Sequence, residues 1–161
     1  MVSIKLQADV LAPDSIKKLS FTGHHPSRFL KIIPGLMKSI FRLSGSKFYE
    51  DKIKWDTSTP NTDFYGEWRG NDPQDNKTSV WVKVKVFGSQ NSDKMGKINI
   101  ELSAILQTKF EYSNLLEKSL MLLYSRLFYS EQRRGYIVKA RRNMEELENE
   151  LKKELQKMVI E

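Results

Sequence analysis

The sequence predicts an α+β fold, an antiparallel β-sheet meander packed on a long C-terminal α-helix. Two observations lead to this prediction. Apolar and polar side chains alternate in several segments before residue 107, whereas apolar residues recur every three or four positions after residue 114. Alternation is typical of a strand with one buried face, and the longer spacing is typical of an amphipathic helix. Short, turn-rich connections between the alternating segments favour antiparallel pairing.

The chain begins with two predicted strands and a helix. Residues 2–10 alternate strictly, and a second short strand is predicted over 17–22. The apolar spacing then changes to three and four, which predicts a helix that ends near Phe41. Because Pro34 lacks the N–H that the interior of a helix needs, we expect a kink or two short helices there.

The middle of the chain predicts the rest of the sheet. Alternating segments lie at 49–56, 64–69, 80–87 and 98–106, and clusters of Gly, Pro, Asn, Asp and Ser separate them. The third segment is the clearest, because valine occupies every second position and would fill one face of a strand. We expect the sheet to bury this face against helices.

The last third of the chain predicts a helix. Asn114, with Glu117 three residues later, resembles a capping box at its start. The apolar residues that follow form a band too broad for a surface stripe, so we expect this part of the helix to be buried against the sheet. The band consists of Leu115, Leu116, Leu120, Leu122, Leu123, Leu127 and Phe128.

After Gly135 the helix changes character. A narrow apolar seam with charged flanks runs through Ile137, Ala140, Met144, Leu147, Leu151, Leu155 and Met158. An unbroken helix over 114–159 would be about 69 Å long, and a domain of this size is about 35–40 Å across. The helix therefore either breaks near Gly135 or projects from the body. We divide the chain into a domain, 1–134, and a helical extension, 135–161, whose seam predicts oligomerisation or docking of a partner protein.

The composition excludes several classes of protein. The chain has 161 residues, a formal net charge of +7 and no cysteine, which excludes disulfides, thiolate metal sites and cysteine nucleophiles. No apolar run approaches the roughly 18 residues that cross a bilayer, so we expect a cytoplasmic protein without a transmembrane segment. Phosphate-binding glycine loops, catalytic constellations and sets of metal ligands are absent from the sequence, and we assign no catalytic residue, metal or cofactor.

Several segments within residues 1–134 follow one another in a familiar order. They are the strand VSIKLQADV, the helix FLKIIPGLMKSIF, the strands VWVKVKVFG and INIELSAILQT, and the helix LLEKSLMLLYSRLF. This order resembles the START-like (SRPBCC, helix-grip) superfamily, in which a curved antiparallel sheet wraps around the last helix and encloses an apolar cavity. The resemblance implies binding of lipids, sterols, hormones or polyketides. It transfers no functional residue, because the superfamily has no short motif to align.

On this resemblance we predict a non-catalytic binding protein that holds an apolar small molecule or lipid between sheet and helix. The inward-facing side chains would line the cavity, and the same side chains would equally form a filled core. A cyclase-type enzyme is the weakest interpretation, because titratable side chains are not evident at the inward positions. The predicted lining residues are Trp55, Trp68, Val82, Val84, Leu102, Leu106, Leu120, Leu123 and Leu127.

The segment 126–142 supports an alternative, a basic module that binds RNA or DNA. It contains six Lys or Arg residues and one acid, Glu131, with tyrosines interleaved. Arginine binds phosphate bidentately and tyrosine stacks on bases, although a solvated helix face would have the same composition. The residues of this alternative site are Arg126, Tyr129, Arg133, Arg134, Tyr136, Lys139, Arg141 and Arg142.

Overall fold

The computed structural model of the chain describes residues 2–160, with side chains up to residue 158. Within these residues, one six-stranded antiparallel sheet is accompanied by three α-helices, which confirms the predicted α+β class. The strands are β1 (Val2–Asp9), β2 (Lys17–His24), β3 (Phe48–Asp56), β4 (Thr62–Pro73), β5 (Thr78–Gln90) and β6 (Met95–Tyr112). The helices are α1 (Phe29–Ile40), α2 (Leu115–Tyr124) and α3 (Ser130–Ile160), and a π-helical turn, Ser125–Tyr129, joins the last two.

Strand β6 organises the sheet. The strand order is β1-β6-β5-β4-β3, and β2 also pairs with β6. Because β6 is 18 residues long, it accommodates both N-terminal strands along one edge. Its second half pairs with β1, from Ile105 opposite Asp9 to Tyr112 opposite Val2, and its first half pairs with β2. The two strands predicted at the start of the chain therefore extend a single edge, one after the other.

One face of the sheet forms the core. The valines of β5 alternate inward as predicted, and they lie opposite the inward residues of the neighbouring strands. Val84, for example, faces Trp68 of β4 on one side and Leu102 of β6 on the other, and all three side chains are buried. Because paired residues of an antiparallel ladder point to the same face, this register gives one continuous apolar surface.

Helix α3 covers this inner face and runs opposite to β6. Along the helix, Arg141 donates a hydrogen bond to the carbonyl of Val10, and Glu148 forms an ion pair with Lys17 at the start of β2. The apolar seam predicted for this helix faces the sheet: Ala140, Met144, Leu147, Leu151, Leu155 and Met158 are buried in one core with α1. The seam thus packs within the chain, in the core that it shares with α1 and the sheet.

One expectation about the helices is wrong. The broad leucine band of α2 is exposed, because α1 and α3 already cover the inner face and α2 lies beyond the end of the sheet; none of its residues is buried. The helix does not break at Gly135, which lies inside α3; the irregular turn comes earlier, at Ser125–Tyr129. Helix α1, in turn, is a single helix with Pro34 inside it, stabilised by an apolar face buried in the core.

Candidate functional site: a groove between β1 and the C-terminal helix

A groove of about 880 Å³ lies between β1 and the helical segment that joins α2 to α3. We call it the β1 groove. Its wall combines apolar, hydroxyl and guanidinium side chains. The lining residues are Leu6, Ser119, Leu122, Leu123, Ser125, Arg126, Ser130, Arg133, Arg134 and Ile137. The β1 groove is therefore a surface on which a molecule with apolar and polar parts can lie.

The helical wall of the groove is one face of the helix. Its lining positions recur at spacings of three and four from Ser119 to Ile137, which places them above one another along the helix. Leu122 and Leu123 form the part in α2, whereas Arg133 lies in the first turns of α3. The wall is thus apolar towards α2 and cationic towards α3.

The opposite wall comes from the edge strand. Leu6 lies opposite Thr108 in the ladder between β1 and β6, and Ile4 lies opposite Phe110. Since Thr108 and Phe110 are buried on the inner face, Leu6 must point to that face as well. β1 has no further strand beside it, so the inner side of Leu6 remains available to the groove.

A polar clasp fixes the helix over this end of the sheet. Asp75, in the turn between β4 and β5, accepts hydrogen bonds from the hydroxyls of Tyr129 and Tyr136, the second at 3.0 Å. The Tyr129 hydroxyl also lies 2.6 Å from Oγ1 of Thr78, which is 2.8 Å from Oγ1 of Thr108. These contacts join the π-helical turn to β5 and β6, so the clasp holds the start of the C-terminal helix against this end of the sheet.

Burial and hydrogen bonding change the acidity of the clasp residues. Burial raises the pKa of Asp75, but hydrogen bonds from Tyr129, the adjacent backbone and Tyr136 lower it more, so that it lies below its ordinary value. Burial and the neighbouring Asp75 raise the pKa of Tyr129 to about 12. The clasp therefore combines an ionised carboxylate with a neutral phenol near neutral pH.

Arg133 is the most confined cation of the groove. Nη2 of Arg133 donates a long hydrogen bond, 3.4 Å, to the carbonyl of Leu6. Nε of the same side chain is buried without a hydrogen-bond partner. Burial lowers the pKa of this guanidinium, because the charged form has lost part of its hydration. No described carboxylate lies within ion-pair distance of Arg133, Arg126 or Arg134.

The residues predicted to line a ligand cavity are divided between two environments. Five of them lie in the filled core between the sheet and α3: Trp68, Val82, Val84, Leu102 and Leu106. Trp55 is 54% exposed on the edge strand β3, beside Phe64. The three helical residues, Leu120, Leu123 and Leu127, are 56%, 53% and 61% exposed, and of the nine only Leu123 lines the β1 groove. The expected cluster of sheet and α2 residues does not form, because α3 occupies that position.

The residues of the nucleic-acid alternative are also divided. Arg126, Arg133 and Arg134 line the groove. The hydroxyls of Tyr129 and Tyr136 are bound to Asp75.

The remaining three cations of that alternative lie further along α3. Arg141 donates hydrogen bonds to the carbonyls of Val10 and Ala12, whereas Lys139 and Arg142 are exposed. Tyr129 is buried and cannot present its ring for stacking, so the tyrosine–arginine pattern of this segment is used in part to hold the helix. Nucleic-acid binding by this segment stays a prediction.

Six lining residues of the groove belong to neither of the two sites predicted from the sequence. They are Leu6, Ser119, Leu122, Ser125, Ser130 and Ile137. The helical ones carry a signal in the sequence, since they share with Leu123 and the arginines a spacing of three and four. The contribution of Leu6 carries no such signal, because a ladder pairs β1 with residues about a hundred positions away.

Comparisons with known proteins give weak structural similarity. A scan against family models gives no match, and neither does a search of curated proteins. Among solved structures, the chain is similar to SA2116, a protein of unknown function from Staphylococcus aureus, at 10% identity over 96% of both chains, with a TM-score of 0.35.

Two further solved structures are similar at lower scores. Ara h 8.0201 is 13% identical, with 76% of this chain and 97% of that chain covered and a TM-score of 0.20. An uncharacterised protein from Rhizobium leguminosarum is 8% identical, with coverages of 91% and 99% and a TM-score of 0.21. TM-scores of this size do not establish a shared fold, so functional inference rests on the residues of this protein.

A helix that crosses a bilayer needs about 20 predominantly apolar residues. Among the described residues, no helix combines the length and the apolar character that a membrane crossing requires.

Proposed function

We propose that this protein is a non-enzymatic binding protein that holds an apolar small molecule or lipid between its sheet and its C-terminal helix. The binding site in this proposal is the β1 groove. The observation that carries it is the groove itself, whose volume of about 880 Å³ lies within the range of about 300–1,000 Å³ that is usual for small-molecule sites.

The apolar part of the groove supports this proposal. Leu122 and Leu123 line the groove and are 42% and 53% exposed, so both present apolar surface to water. Transfer of apolar surface out of water is favourable by about 25 cal/mol per Å². A ligand chain lying along α2 would remove these side chains from water and gain that free energy.

The chemistry of the lining supports binding over catalysis. The groove's side chains are those of Leu, Ile, Ser and Arg, without a carboxylate, histidine or cysteine among the residues that line it. A serine nucleophile needs a neighbouring base, and general acid–base catalysis needs a group that titrates near neutrality. The lining therefore offers positioning and charge, which are the needs of a binding site.

The arrangement of sheet and helix supports the same function. An antiparallel sheet with a long C-terminal helix on its inner face fits the START-like resemblance, whose members hold apolar ligands between these two elements. In this chain the middle of that interface is filled by packed side chains. We therefore place the ligand at its open end, beside β1.

Native mass spectrometry of the freshly purified protein tests the proposal. We expect extra mass from an apolar small molecule that survives high salt, and uptake of the neutral dye Nile red after the ligand has been removed. Leu123→Arg would obstruct the groove and abolish both signals. Leu120→Arg is the matched control, because Leu120 is equally exposed on α2 but does not line the groove.

Three results would contradict the proposal. Bare protein that takes up no dye would exclude an apolar site. Equal loss of dye in both leucine variants would place the site elsewhere on α2. Copurified nucleic acid that high salt removes, without an apolar ligand, would favour the nucleic-acid alternative, since phosphate contacts weaken steeply with salt. Self-association through the C-terminal helix remains a separate prediction, which the same spectra test through the ratio of monomer to dimer.

A further inference from the structure

Among the described residues, no carboxylate lies within ion-pair distance of the arginines at the cationic end of the β1 groove. Arg133 lies half-buried between α3 and β1, with one long hydrogen bond to a backbone carbonyl and a buried Nε that has no partner. A guanidinium has five donor hydrogens in a planar fork, so Arg133 can donate further hydrogen bonds to an acceptor in the groove. Uncompensated burial of a charged group is unfavourable, and a bound anion would relieve it.

Two further arginines reinforce the positive charge. Arg126 lies about two helical turns before Arg133, Arg134 follows it directly, and all three line the same groove. The acid nearest to them in sequence, Glu131, is exposed and is not part of the lining. Like charges on one helix face repel each other. An anion bound between the arginines would attract each of them and offset this repulsion.

Hydroxyl groups complete a polar end. Ser130 lies one turn from both Arg126 and Arg133 on the lining face. A serine hydroxyl can donate one hydrogen bond to an anionic oxygen. Carboxylate and phosphate are the anions whose geometry matches the fork of arginine, and such charge-assisted bonds are about twice as strong as neutral ones.

The apolar end begins where the cations end. Leu122 and Leu123 precede Arg126 by one turn, on the same face. The groove thus has a cationic part next to an apolar part, and it is continuous between them. This is the complement of an amphiphile, a molecule with a charged head and a hydrocarbon chain.

Building on the proposed function, we infer that the ligand of the β1 groove is a single-chain amphiphile with a carboxylate or phosphate head. The head binds Arg133, with Arg126 and Arg134 beside it, and the chain lies along Leu122 and Leu123. Arg133 supplies selectivity for the anionic head, whereas the leucines supply affinity for any chain of suitable length.

Binding to delipidated protein, measured by displacement of Nile red, tests this inference with four probes. Laurate and dodecyl phosphate carry the anionic heads, dodecanol carries the same chain with a neutral head, and inorganic phosphate carries the head alone. We expect both anionic amphiphiles to bind at least about tenfold more tightly than dodecanol, the effect of one or two charge-assisted hydrogen bonds. Inorganic phosphate alone should displace no dye.

Substitutions then locate the head. Arg133→Gln should reduce the affinity for laurate by about tenfold and leave the affinity for dodecanol unchanged. Arg142→Gln is the matched control, since Arg142 is an exposed arginine of α3 outside the groove. If Arg133→Gln lowers the thermal midpoint, Arg126→Gln is used in its place. Arg126 is exposed and has no hydrogen bond or ion pair with another described residue, so its substitution should not affect folding.

The results of these experiments test the anionic head and the apolar site of the proposed function separately. If dodecanol binds as tightly as laurate, and Arg133→Gln and Arg126→Gln change nothing, the anionic head is excluded while the apolar site stands. If none of the three chains binds, both are excluded. If inorganic phosphate binds as tightly as dodecyl phosphate, measured by calorimetry, the site recognises a free anion and the amphiphile is excluded.

Discussion

The phenol of Tyr129 donates a hydrogen bond to the carboxylate of Asp75 across 54 positions of the chain. This contact joins the π-helical turn to the turn between β4 and β5, and it lies beside the groove that we propose as the binding site. Since α2 has no buried residue of its own, the position of the helical wall depends on this anchor and on the packing of α3.

Removing the phenol oxygen should therefore destabilise the protein. Tyr129→Phe leaves Asp75 and the buried Thr78 without a shared partner, and we expect a loss of about 1–3 kcal/mol in the free energy of unfolding. Urea denaturation measures this change. Tyr112→Phe is the control, because the Tyr112 hydroxyl has no hydrogen bond within the described chain, and equal midpoints for the two variants would contradict the role of the clasp.

The same pair predicts a pH dependence on both sides of neutrality. The pKa of Asp75 is lowered by its hydrogen bonds despite burial, so its contribution to stability is present above its ordinary pKa of 3.8 and is lost as pH falls through the folded value. The pKa of Tyr129 is raised by burial to about 12, so its contribution is present below the ordinary value of 10.0 and is lost as pH rises towards 12.

Two variants separate these contributions. We expect Asp75→Asn to flatten the acid side of the stability curve and Tyr129→Phe to flatten its alkaline side, each relative to the unmodified protein. Urea denaturation at a series of pH values, from roughly 3 to 11, measures the curves. Curves that run parallel to that of the unmodified protein on both sides would overturn the assignment.

The leucines of α3 are buried and those of α2 are exposed, so the same substitution should destabilise the protein much more in α3 than in α2. Leu151→Ala removes a fully buried side chain from α3 and should cost about 2–5 kcal/mol of stability. Leu120→Ala, on the exposed face of α2, should change stability by less than about 0.5 kcal/mol. A larger loss for Leu120→Ala than for Leu151→Ala would place α2, rather than α3, against the sheet. Thermal or urea denaturation of the matched pair decides between the two arrangements.

Glu148 of α3 forms an ion pair with Lys17 of β2. Its carboxylate is buried and lies 2.8 Å from Nζ of Lys17 and 2.9 Å from Nζ of Lys152. Burial raises the pKa of Glu148, but hydrogen bonds from the two lysines lower it more, so the carboxylate is held ionised. Glu148→Gln should therefore cost about 1–3 kcal/mol, since it removes the charged acceptor of two hydrogen bonds at a buried position.

Glu150, two residues later in α3, provides the control for this substitution. Glu150→Gln breaks a more exposed pair with Lys153, and we expect a change of less than about 0.5 kcal/mol. Urea denaturation of both variants in parallel measures the difference. Equal losses would show that burial adds nothing to the contact of Glu148 with Lys17.

The sequence allowed the sheet to be predicted more closely than the packing of the helices. The alternation in β5 reports burial directly, because every second side chain faces the same layer. A helix stripe shows only which face is apolar, and not which neighbour covers it. The broad band around Leu120 was therefore expected to be buried although it is exposed, and the narrow seam around Leu147 packs in the core of its own chain.

The candidate site was predictable only in part. The arginines at 126, 133 and 134 were predicted to bind nucleic acid, and Leu123 was predicted to bind an apolar ligand, in two separate sites. The structure places these four residues in one groove. What the sequence could not show is the position of Leu6, because that depends on which strand occupies the edge of the sheet.

Strand β6 also determines when the protein can fold during synthesis. β1 is made before its partners at residues 105–112, so it waits for them while about a hundred further residues are added. At about 5–20 residues per second, this delay is about 5–20 seconds. β2 waits almost as long for the first half of the same strand. Meanwhile β3, β4 and β5 can pair only among themselves, and completion of the sheet must follow the emergence of β6, which joins β1 and β2 to the other strands.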